Sequence, residues 1–559
     1  MAERSRSTPL MRMLLSGEVS GETPRDLSPM EKFDRWMVNE GSRRIFVGTF
    51  IVVHAMIYAF GFMNYQLKDN LNNARATFGL GYPIARSAAL CLHFDVACIL
   101  LPVCRTLISL ARQTPLNSII PFDKNITFHK CIGHSIVFFT WVHTIAHLNN
   151  VAQLSAKNNQ GFVGFLKGNF MTGPGWSGYV LTIVIMAMWF TALEGPRRAN
   201  FERFWNTHHL FILFFVFWSV HGAFCMIPED NRPFCLQNAA FWKWWMIGGF
   251  SYLTERILRE IRGAHKTYVS KVVQHPSNVV EIQIKKENVK VRAGQYIFLC
   301  CPEVSLWQYH PFTLTSAPEE DYISVHVRMV GNFTKALGKA LGCSDPKEKT
   351  DRSKVVSMAP VNGKKQLNVT KLLPRVYIDG PFGSASEDVF KFETALLCGA
   401  GIGVTPFASI LKSIWYRMSN PSTKHSTRLR KVYFFWVCRD FGSLEWFKSL
   451  LGAIESQDKT HAIEIHAYLT AKISAADTSN IILNSGDTDA ITGLRTATNF
   501  GRPNWDMVFR GIRKIHNPGE CGVFFCGPKG LGSQLHIKCN MYTEAGENGY
   551  KFVWGKENF

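Results

Sequence analysis

The residues best suited to chemistry are histidines inside two apolar stretches. Residues 128–148, FHKCIGHSIVFFTWVHTIAHL, carry His129, His134, His143 and His147, and residues 204–223 carry His208, His209 and His221. A bilayer tolerates ionisable side chains only where they have a function or a partner. Imidazole is a common ligand of haem iron, so two facing helices of this kind could hold two b-type haems.

The spacing of the histidines tests this idea. His129 and His143 are 14 residues apart, about 3.9 helical turns, so they share one face about 21 Å apart along the axis. His208 and His221 are 13 residues apart, about 3.6 turns, and an ideal helix would turn one ring away from the other. The second helix must therefore bend or contain an irregular turn. Spacing alone does not choose between His208 and His209. The alternative, core histidines hydrogen-bonded between helices, is less favoured because two helices show matched long spacings.

Six apolar segments position these histidines. They lie near residues 43–63, 84–110, 128–148, 176–194, 204–227 and 238–256. Lys and Arg are concentrated before the first, between the second and third, between the fourth and fifth, and after the sixth. The positive-inside rule then predicts that both termini face the cytoplasm.

This orientation predicts the depth of each histidine. The third and fifth segments run outward, so His129 and His208 lie near the inner face, and His143 and His221 near the outer face. Depth therefore pairs the first two and the last two. Arg86 and His147 are expected beside the outer haem, where a cation could hold a small anion. Snorkelling of Arg86 to lipid head groups, or pairing with a haem propionate, is the alternative.

Composition narrows the class of protein. Aromatic residues make up 13% of the 559 residues, and the net charge is +20. The basic residues are spread through loops without a nucleic-acid motif, so attraction to anionic lipid and nucleotide phosphates is the preferred interpretation. Residues 1–38 read as a disordered cytosolic tail. Cys225 and Cys235 fall in a predicted outer loop, where a disulfide and two free thiols remain equal alternatives.

After residue 265 the pattern changes to alternating strands such as VVEIQIKK and YISVHVRMV. The string HPFTLTS, residues 310–316, follows a strand in a region with barrel-like patterning. An aromatic ring flanked by hydroxyls can stack on a flavin while a hydroxyl bonds its edge. An ordinary strand and turn is the alternative.

A glycine-rich turn follows in the string ALLCGAGIGVTPF, residues 395–407. An apolar strand, the turn and a helix appear in that order, as a pyrophosphate site requires. Pro406 replaces the third glycine of the usual fingerprint. Arg439 and Arg502 follow later strands and are candidates for binding a 2′-phosphate, which would select NADPH over NADH. Surface salt bridges are their alternative role.

Together these motifs resemble the NADPH oxidase family, from about Asn39 to the C-terminus. The strings that carry the resemblance are LPVCR, FHK, HTIAHL, THHLF, HPFTLTSAPEED, DGPFG, GAGIGVTPF, CRD, GRPNW and the C-terminal KENF. The short tail, without a calcium-binding module, is similar to fungal members. The resemblance implies a multi-domain fold. It comprises a six-helix transmembrane haem-binding bundle at 39–262, a ferredoxin-reductase-like FAD-binding β-barrel at 263–388, and an α/β NADPH-binding domain at 389–559.

The resemblance also implies roles for individual residues. His129 with His208, and His143 with His221, would ligate two haem b irons, and Arg86 and His147 would line the oxygen-reducing pocket. The FAD contacts would be His310, Pro311, Phe312, Thr313 and Arg328. The NADPH contacts would be Gly401, Gly403, Pro406, Arg439, Arg502 and Cys526, while Phe559 would stack on the flavin and yield to nicotinamide.

The expected activity is transmembrane electron transfer from cytosolic NADPH through FAD and two haems to O2, which releases superoxide on the opposite face. A ferric or cupric metalloreductase of the same superfamily, or a non-enzymatic haem-bearing membrane protein, are the alternatives. The resemblance implies an integral protein of the plasma membrane or an endomembrane. It also implies a small transmembrane partner subunit, cytosolic regulators that include a small GTPase, and no nucleic acid.

Overall fold

The computed structural model divides the chain into two compact units. The helical unit is Arg43–Leu258, and the sheet unit is Met1–Ser42 together with Arg259–Phe559. The structure describes residues 9–16, 27–224, 240–275, 278–287, 289–343, 355–357, 373–419, 427–439, 442–458, 461–471, 488–489, 491–544, 546 and 549–557.

Part of the expected disordered tail is instead helical. Helix α1 is Pro9–Ser16 and helix α2 is Pro29–Trp36, which begins with a capping box between Ser28 and Glu31. Leu10 is fully buried in a core cluster with Trp505 and Phe509. The apolar residues of α1 recur at helical spacing, so the segment gains more by burying them than it loses in backbone entropy. The expectation of disorder over residues 1–38 is therefore not met in these two segments.

The helical unit is built from long apolar helices and short connecting ones. Its helices are α3 Ser42–Leu67, α4 Asn72–Phe78, α5 Gly81–Cys98, α6 Arg105–Ala111, α7 Asn125–Lys157, α8 Gly161–Phe170, α9 Gly173–Ala192, α10 Glu194–Ala199, α11 Phe201–His208, α12 Phe211–His221 and α13 Phe241–Ala264, whose last residues belong to the sheet unit. The core of the unit contains Ile132 and Ile136 from α7, Val184 from α9 and Trp218 from α12. Helix α7 packs along α5, which places its histidines against a neighbouring helix.

Four helical segments of the described chain are long and apolar enough to cross a bilayer. They are Pro29–Leu67, Gly81–Val103, Phe122–Lys157 and Gly173–Ala192. Six were expected. The fifth expected segment is interrupted at His209 and Leu210, between α11 and α12. This interruption is the kind of irregularity that the 13-residue spacing of His208 and His221 requires. The sixth corresponds to α13, which carries Lys243 near its start and several charges after residue 254.

The sheet unit begins with two antiparallel sheets. The strands are β1 Thr267–His275, β2 Val279–Lys286, β3 Tyr296–Cys300, β4 His310–Thr313, β5 Ile323–Arg328, β6 Val355–Ser357 and β7 Tyr377–Phe382. Their order among the described residues is β5-β2-β1-β6 in one sheet and β4-β3-β7 in the other. Both sheets contribute to one core, which includes Ile282, Leu299, Val325 and Ile378. Helix α14, Asn332–Ala340, packs on this core through Phe333 and Leu337.

A parallel sheet with helices follows. Its strands are β8 Thr394–Ala400, β9 Lys431–Cys438, β10 Ile463–Leu469, β11 Asn499–Phe500, β12 Gly519–Cys526 and β13 Tyr550–Lys556, and its helices are α15 Thr405–Ser419, α16 Gly442–Gln457, α17 Trp505–His516 and α18 Lys529–Tyr542. In the described part of the chain the order is β11-β10-β9-β8-β12-β13. The chain leaves β8 toward β9 and later returns to its other side with β12. In such a sheet the ligand site lies at this switch point, beyond the carboxyl ends of the strands.

Candidate functional site

The first histidine pair of the helical unit joins α7 to α11. The ring centres of His129 and His208 lie 6.1 Å apart. His129 Nδ1 lies 2.9 Å from the carbonyl oxygen of Ile99, so Nδ1–H donates and Nε2 is left as the free nitrogen. His208 Nδ1 is buried and has no hydrogen-bond partner among the described residues. Buried polar nitrogens are rarely left unpaired, and this one marks a site where a further group is expected.

The second pair joins α7 to α12. The ring centres of His143 and His221 lie 6.5 Å apart. His143 Nδ1 donates to the carbonyl oxygen of Ala85 at 2.9 Å. His221 Nδ1 lies 2.8 Å from the hydroxyl oxygen of Ser177. Because that hydroxyl donates to the carbonyl of Gly173, it accepts from His221 and leaves Nε2 as the free nitrogen.

These separations match two imidazoles on opposite sides of one iron. A metal–imidazole bond is about 2.1 Å long, and the ring centre lies about 1.1 Å behind the ligating nitrogen. Two imidazoles that held one iron between them would therefore have ring centres about 6.4 Å apart. The observed values are 6.1 and 6.5 Å. Histidine ligands usually donate their other nitrogen to an oxygen, which fixes the tautomer and the ring plane. His129, His143 and His221 all make such a bond. The residues therefore fit a haem between the members of each pair.

His209 occupies a different position. Its side chain is exposed, and its Nδ1 lies 2.8 Å from the carbonyl oxygen of Trp205, one turn earlier. Because α11 ends at His208, only that residue of the two presents its ring to His129. The structure thus separates two neighbours that spacing alone left equivalent.

A cavity of about 170 Å³ lies beside the second pair, and Arg86, His143, His147 and His221 are among its lining residues. The rings of His143 and His147 are 4.5 Å apart, centre to centre. The Arg86 guanidinium lies over the Tyr65 ring at 5.1 Å and contacts the Tyr65 hydroxyl at 3.4 Å. A guanidinium and an imidazole therefore reach one small cavity beside the second histidine pair.

The glycine-rich turn of the sheet unit follows β8. Gly401 has φ of +58°, a conformation that costs other residues energy. A Cβ on Gly403 would lie 2.4 Å from the carbonyl oxygen of Cys526, at the end of β12. Glycine is thus required where the turn passes close to the neighbouring strand, and the turn leads directly into α15. This arrangement leaves backbone N–H groups free to meet a phosphate.

A cavity of about 1110 Å³ opens at this turn, between the antiparallel sheets and the parallel sheet. The expected site residues that line it are Pro311, Phe312, Thr313, Arg328, Gly401, Gly403, Arg439, Arg502 and Cys526. Its volume is large enough for a ligand the size of a dinucleotide. Burial raises the pKa of the Cys526 thiol, so this residue meets a ligand as a neutral group rather than as a thiolate.

Two arginines form one end of this region. Arg439 follows β9 and Arg502 follows β11, and together with Thr470 they line a smaller cavity of about 520 Å³. Both guanidinium-bearing residues are exposed. They converge at the carboxyl ends of two strands on either side of β10, and this makes a local positive site suited to a phosphate.

Some expected contacts are placed elsewhere. The His310 ring stacks on Phe333 with centres 3.8 Å apart and does not line the large cavity, and Pro406 is not among the lining residues either. Stacking on Phe333 of α14 therefore holds His310 away from the cavity that its three neighbours in β4 line. Phe559, Cys225 and Cys235 lie outside the described residues.

Other polar residues at these sites were not singled out from the sequence. Glu557 accepts hydrogen bonds from the Ser384 hydroxyl at 2.8 Å and the Ser386 N–H at 2.7 Å, and it borders the large cavity. In the helical unit, Asp95 is fully buried and accepts from His54 and Ser135, at 2.9 and 2.7 Å. The sequence signal that could have indicated the group around Asp95 is this single acidic residue within an apolar segment.

Three family models match consecutive parts of the chain. A ferric reductase like transmembrane component matches residues 95–219, an FAD-binding domain matches residues 264–386, and a ferric reductase NAD binding domain matches residues 392–540. The histidine pairs lie within or just beyond the first match, and the glycine-rich turn lies in the third.

Relatives resemble the chain over nearly its full length. A superoxide-generating NADPH oxidase heavy chain of Dictyostelium discoideum is 39% identical, over 95% of this chain and 100% of that protein. NADPH oxidase 3 of Homo sapiens is 34% identical, over 94% of this chain and 99% of that protein. A ferredoxin NADP+ reductase from Neisseria gonorrhoeae, solved with FAD and NADP, is 13% identical over 52% of this chain and 98% of its own, with a TM-score of 0.33.

Proposed function

The chain belongs to the NADPH oxidase family, and from that premise we propose which of its residues hold the groups that carry electrons. It is an oxidoreductase that transfers electrons from NADPH through FAD across a membrane to O2 and forms superoxide. The family and activity expected from the motifs are thereby confirmed.

Two haem b groups are proposed for the helical unit, one between His129 and His208 and one between His143 and His221. The observation that carries this proposal is the pair of ring separations, 6.1 and 6.5 Å. When bound, haem supplies the one-electron redox steps that no side chain here can perform. The protein's part is to orient the imidazoles. Ile99, Ala85 and Ser177 each bond the Nδ1 of one ring, which leaves its Nε2 for the iron.

Arg86 and His147 are proposed to form the oxygen-reducing pocket. Both line the cavity beside His143 and His221. A guanidinium cannot lose its charge at physiological pH, so Arg86 stabilises an anion formed in that cavity. His147 offers a hydrogen-bond donor from the next helical turn. A variant that keeps both haems but lacks this charge should therefore transfer electrons to O2 more slowly.

In the sheet unit, FAD is proposed to bind along β4 and β5, with Pro311, Phe312 and Thr313 at the ring and Arg328 at the phosphates; His310 supports this strand by stacking on Phe333. NADPH is proposed to bind the turn at Gly401, Gly403 and Pro406. Arg439 and Arg502 then hold its 2′-phosphate, and Cys526 lies near its reactive end. Phe559 is proposed to cover the flavin until nicotinamide displaces it.

We further propose that both termini face the cytosol and that superoxide leaves on the opposite side of a plasma membrane or endomembrane. The distribution of Lys and Arg between the apolar segments supports this orientation. A small transmembrane protein and cytosolic regulators that include a small GTPase remain proposed partners, by analogy with the family.

Anaerobic reduction of the purified, FAD-loaded protein tests the electron path. NADPH should shift the haem absorption to the reduced form, and air should reverse the shift with formation of superoxide. The same protein preparation should be offered a chelated ferric salt, because a metalloreductase is the alternative activity. A faster and oxygen-insensitive reduction of ferric chelate would favour that alternative. Oxidised haem in the presence of NADPH and FAD would contradict the proposed path.

A further inference from the structure

Three side chains from three neighbouring strands meet on one face of the first antiparallel sheet. In that sheet β2 lies between β5 and β1. Glu281 of β2 is paired directly with His326 of β5, and His275 is the last residue of β1. The residues that flank Glu281 and His326 along their strands, such as Ile282 and Val325, point into the core. Strand alternation therefore directs both polar side chains to the opposite face.

The three side chains converge through single atoms. His275 Nε2 lies 3.5 Å and His326 Nε2 lies 3.8 Å from the same oxygen, Glu281 Oε2. One ligand atom from each residue lies within 4.8 Å of the others. A direct charged hydrogen bond would be shorter, about 2.7–2.9 Å. Zinc bonds of about 2.1 Å instead place tetrahedral ligand atoms about 3.4 Å apart, so the spacing suits an ion between them better than a direct bond.

The remaining atoms of the cluster have other partners, which orient it. His326 Nδ1 is 2.8 Å from the Thr315 hydroxyl, and Gln283 donates to Glu281 Oε1 at 2.8 Å. The atoms left facing the centre are therefore His326 Nε2 and Glu281 Oε2. His275 Nε2 is buried and makes no hydrogen bond within the described residues. In metal sites, hydrogen bonds like those of Thr315 and Gln283 fix the orientation of the side chains that bind the ion.

One charged side chain outside the cluster acts on it as well. Lys412 influences both Glu281 and His326 electrostatically. Its ammonium group, however, lies 3.4 Å from Glu320, which offsets part of its charge.

We propose that His275, Glu281 and His326 bind one zinc ion, with a fourth position left for water. Two imidazoles and one carboxylate form a known zinc ligand set with an open position. His326 also lines the large cavity of the sheet unit, so the ion would tie β1, β2 and β5 together at the wall of that cavity. The inference is independent of the electron path, which uses other residues.

The experiment uses the full-length protein in detergent, loaded with FAD and dialysed against zinc chloride, then freed of excess metal. Zinc per chain is measured by mass spectrometry, with X-ray absorption at the zinc edge to identify nitrogen and oxygen ligands. About one zinc per chain is expected. Glu281→Gln and His326→Ala should each weaken zinc binding at least tenfold, and His265→Ala, an exposed residue outside the cluster, should not.

FAD content and the unfolding temperature without zinc show whether each variant is folded. If the folded wild-type protein binds no more zinc than Glu281→Gln, the cluster is only an ion-paired group and the proposal is wrong. The same holds if the absorption data show sulfur ligands, because the three residues offer none. Superoxide production does not enter this test, so its failure and that of the proposed function are distinguishable.

Discussion

The imidazole rings of His129 and His208 have centres 6.1 Å apart, although the two residues lie on separate helices. The break after α11 makes this possible, because it ends the helix at His208 and turns His209 outward. The second pair, His143 and His221, is related in the same way at 6.5 Å. Both separations agree with the proposal that each pair would hold one haem iron.

If His129 and His208 hold a haem as proposed, replacing His208 by alanine should remove that haem, because the group would lose one of its two ligands. His209→Ala is the matched control: the same residue type, adjacent in sequence, but exposed and bonded to the Trp205 carbonyl. Haem per chain should fall from two to one in the first variant and stay at two in the second, measured by the pyridine haemochrome assay. Equal loss in both variants would show that the pairing is wrong.

Removing either arginine at the ends of β9 and β11 should weaken NADPH binding selectively. A charge-assisted hydrogen bond contributes about 1.5–3 kcal/mol, so Arg439→Ala or Arg502→Ala should raise the KM for NADPH about 10–100-fold. NADH lacks the 2′-phosphate, and its KM should barely change. Arg430, exposed at the opposite end of β9, is the control residue. An equal effect on both nucleotides would argue against a 2′-phosphate contact.

Gly403→Ala should disrupt the glycine-rich turn. The added Cβ would lie 2.4 Å from the Cys526 carbonyl oxygen, which belongs to the backbone and cannot rotate away. Overpacking of this kind costs about 1–3 kcal/mol, and we expect weaker NADPH binding together with lower thermal stability. Gly452→Ala in α16 meets no atom within 4 Å and should be neutral or stabilising. Unchanged NADPH affinity in Gly403→Ala would contradict the close approach.

Asp379→Asn should destabilise the sheet unit. The carboxylate is almost fully buried and pairs with Arg262 at 2.8 Å and Arg259 at 3.2 Å, both from the last turns of α13. Removing one partner of a buried pair leaves the other charges uncompensated, at a cost of about 2–4 kcal/mol, or about 5–10 °C in the temperature of flavin release. Asp321→Asn removes an exposed pair with Lys285 and should leave that temperature unchanged. A small effect at Asp379 would indicate that water compensates the arginines.

Much of the site could be inferred from residue types in short windows. Iron ligation needs histidines at fixed depths in apolar helices, and phosphate binding needs glycines between a strand and a helix. Each requirement can therefore be recognised in a short stretch of sequence. The position of His310 could not be inferred in this way, because it depends on α14 bringing Phe333 against it. Leu10 is a similar case: its burial depends on residues almost 500 positions later in the chain.

By itself, the sequence determined the family, the order of its parts and the set of candidate ligands, since these follow from composition, periodicity and motifs along the chain. Histidine spacing left His208 and His209 equivalent and the family resemblance favoured His208; the tertiary structure places the His208 ring beside that of His129. It alone brought His275, Glu281 and His326 to one point. The physical reason is that helix breaks and strand register are set by packing between distant segments, and no local pattern in a single sequence records that packing.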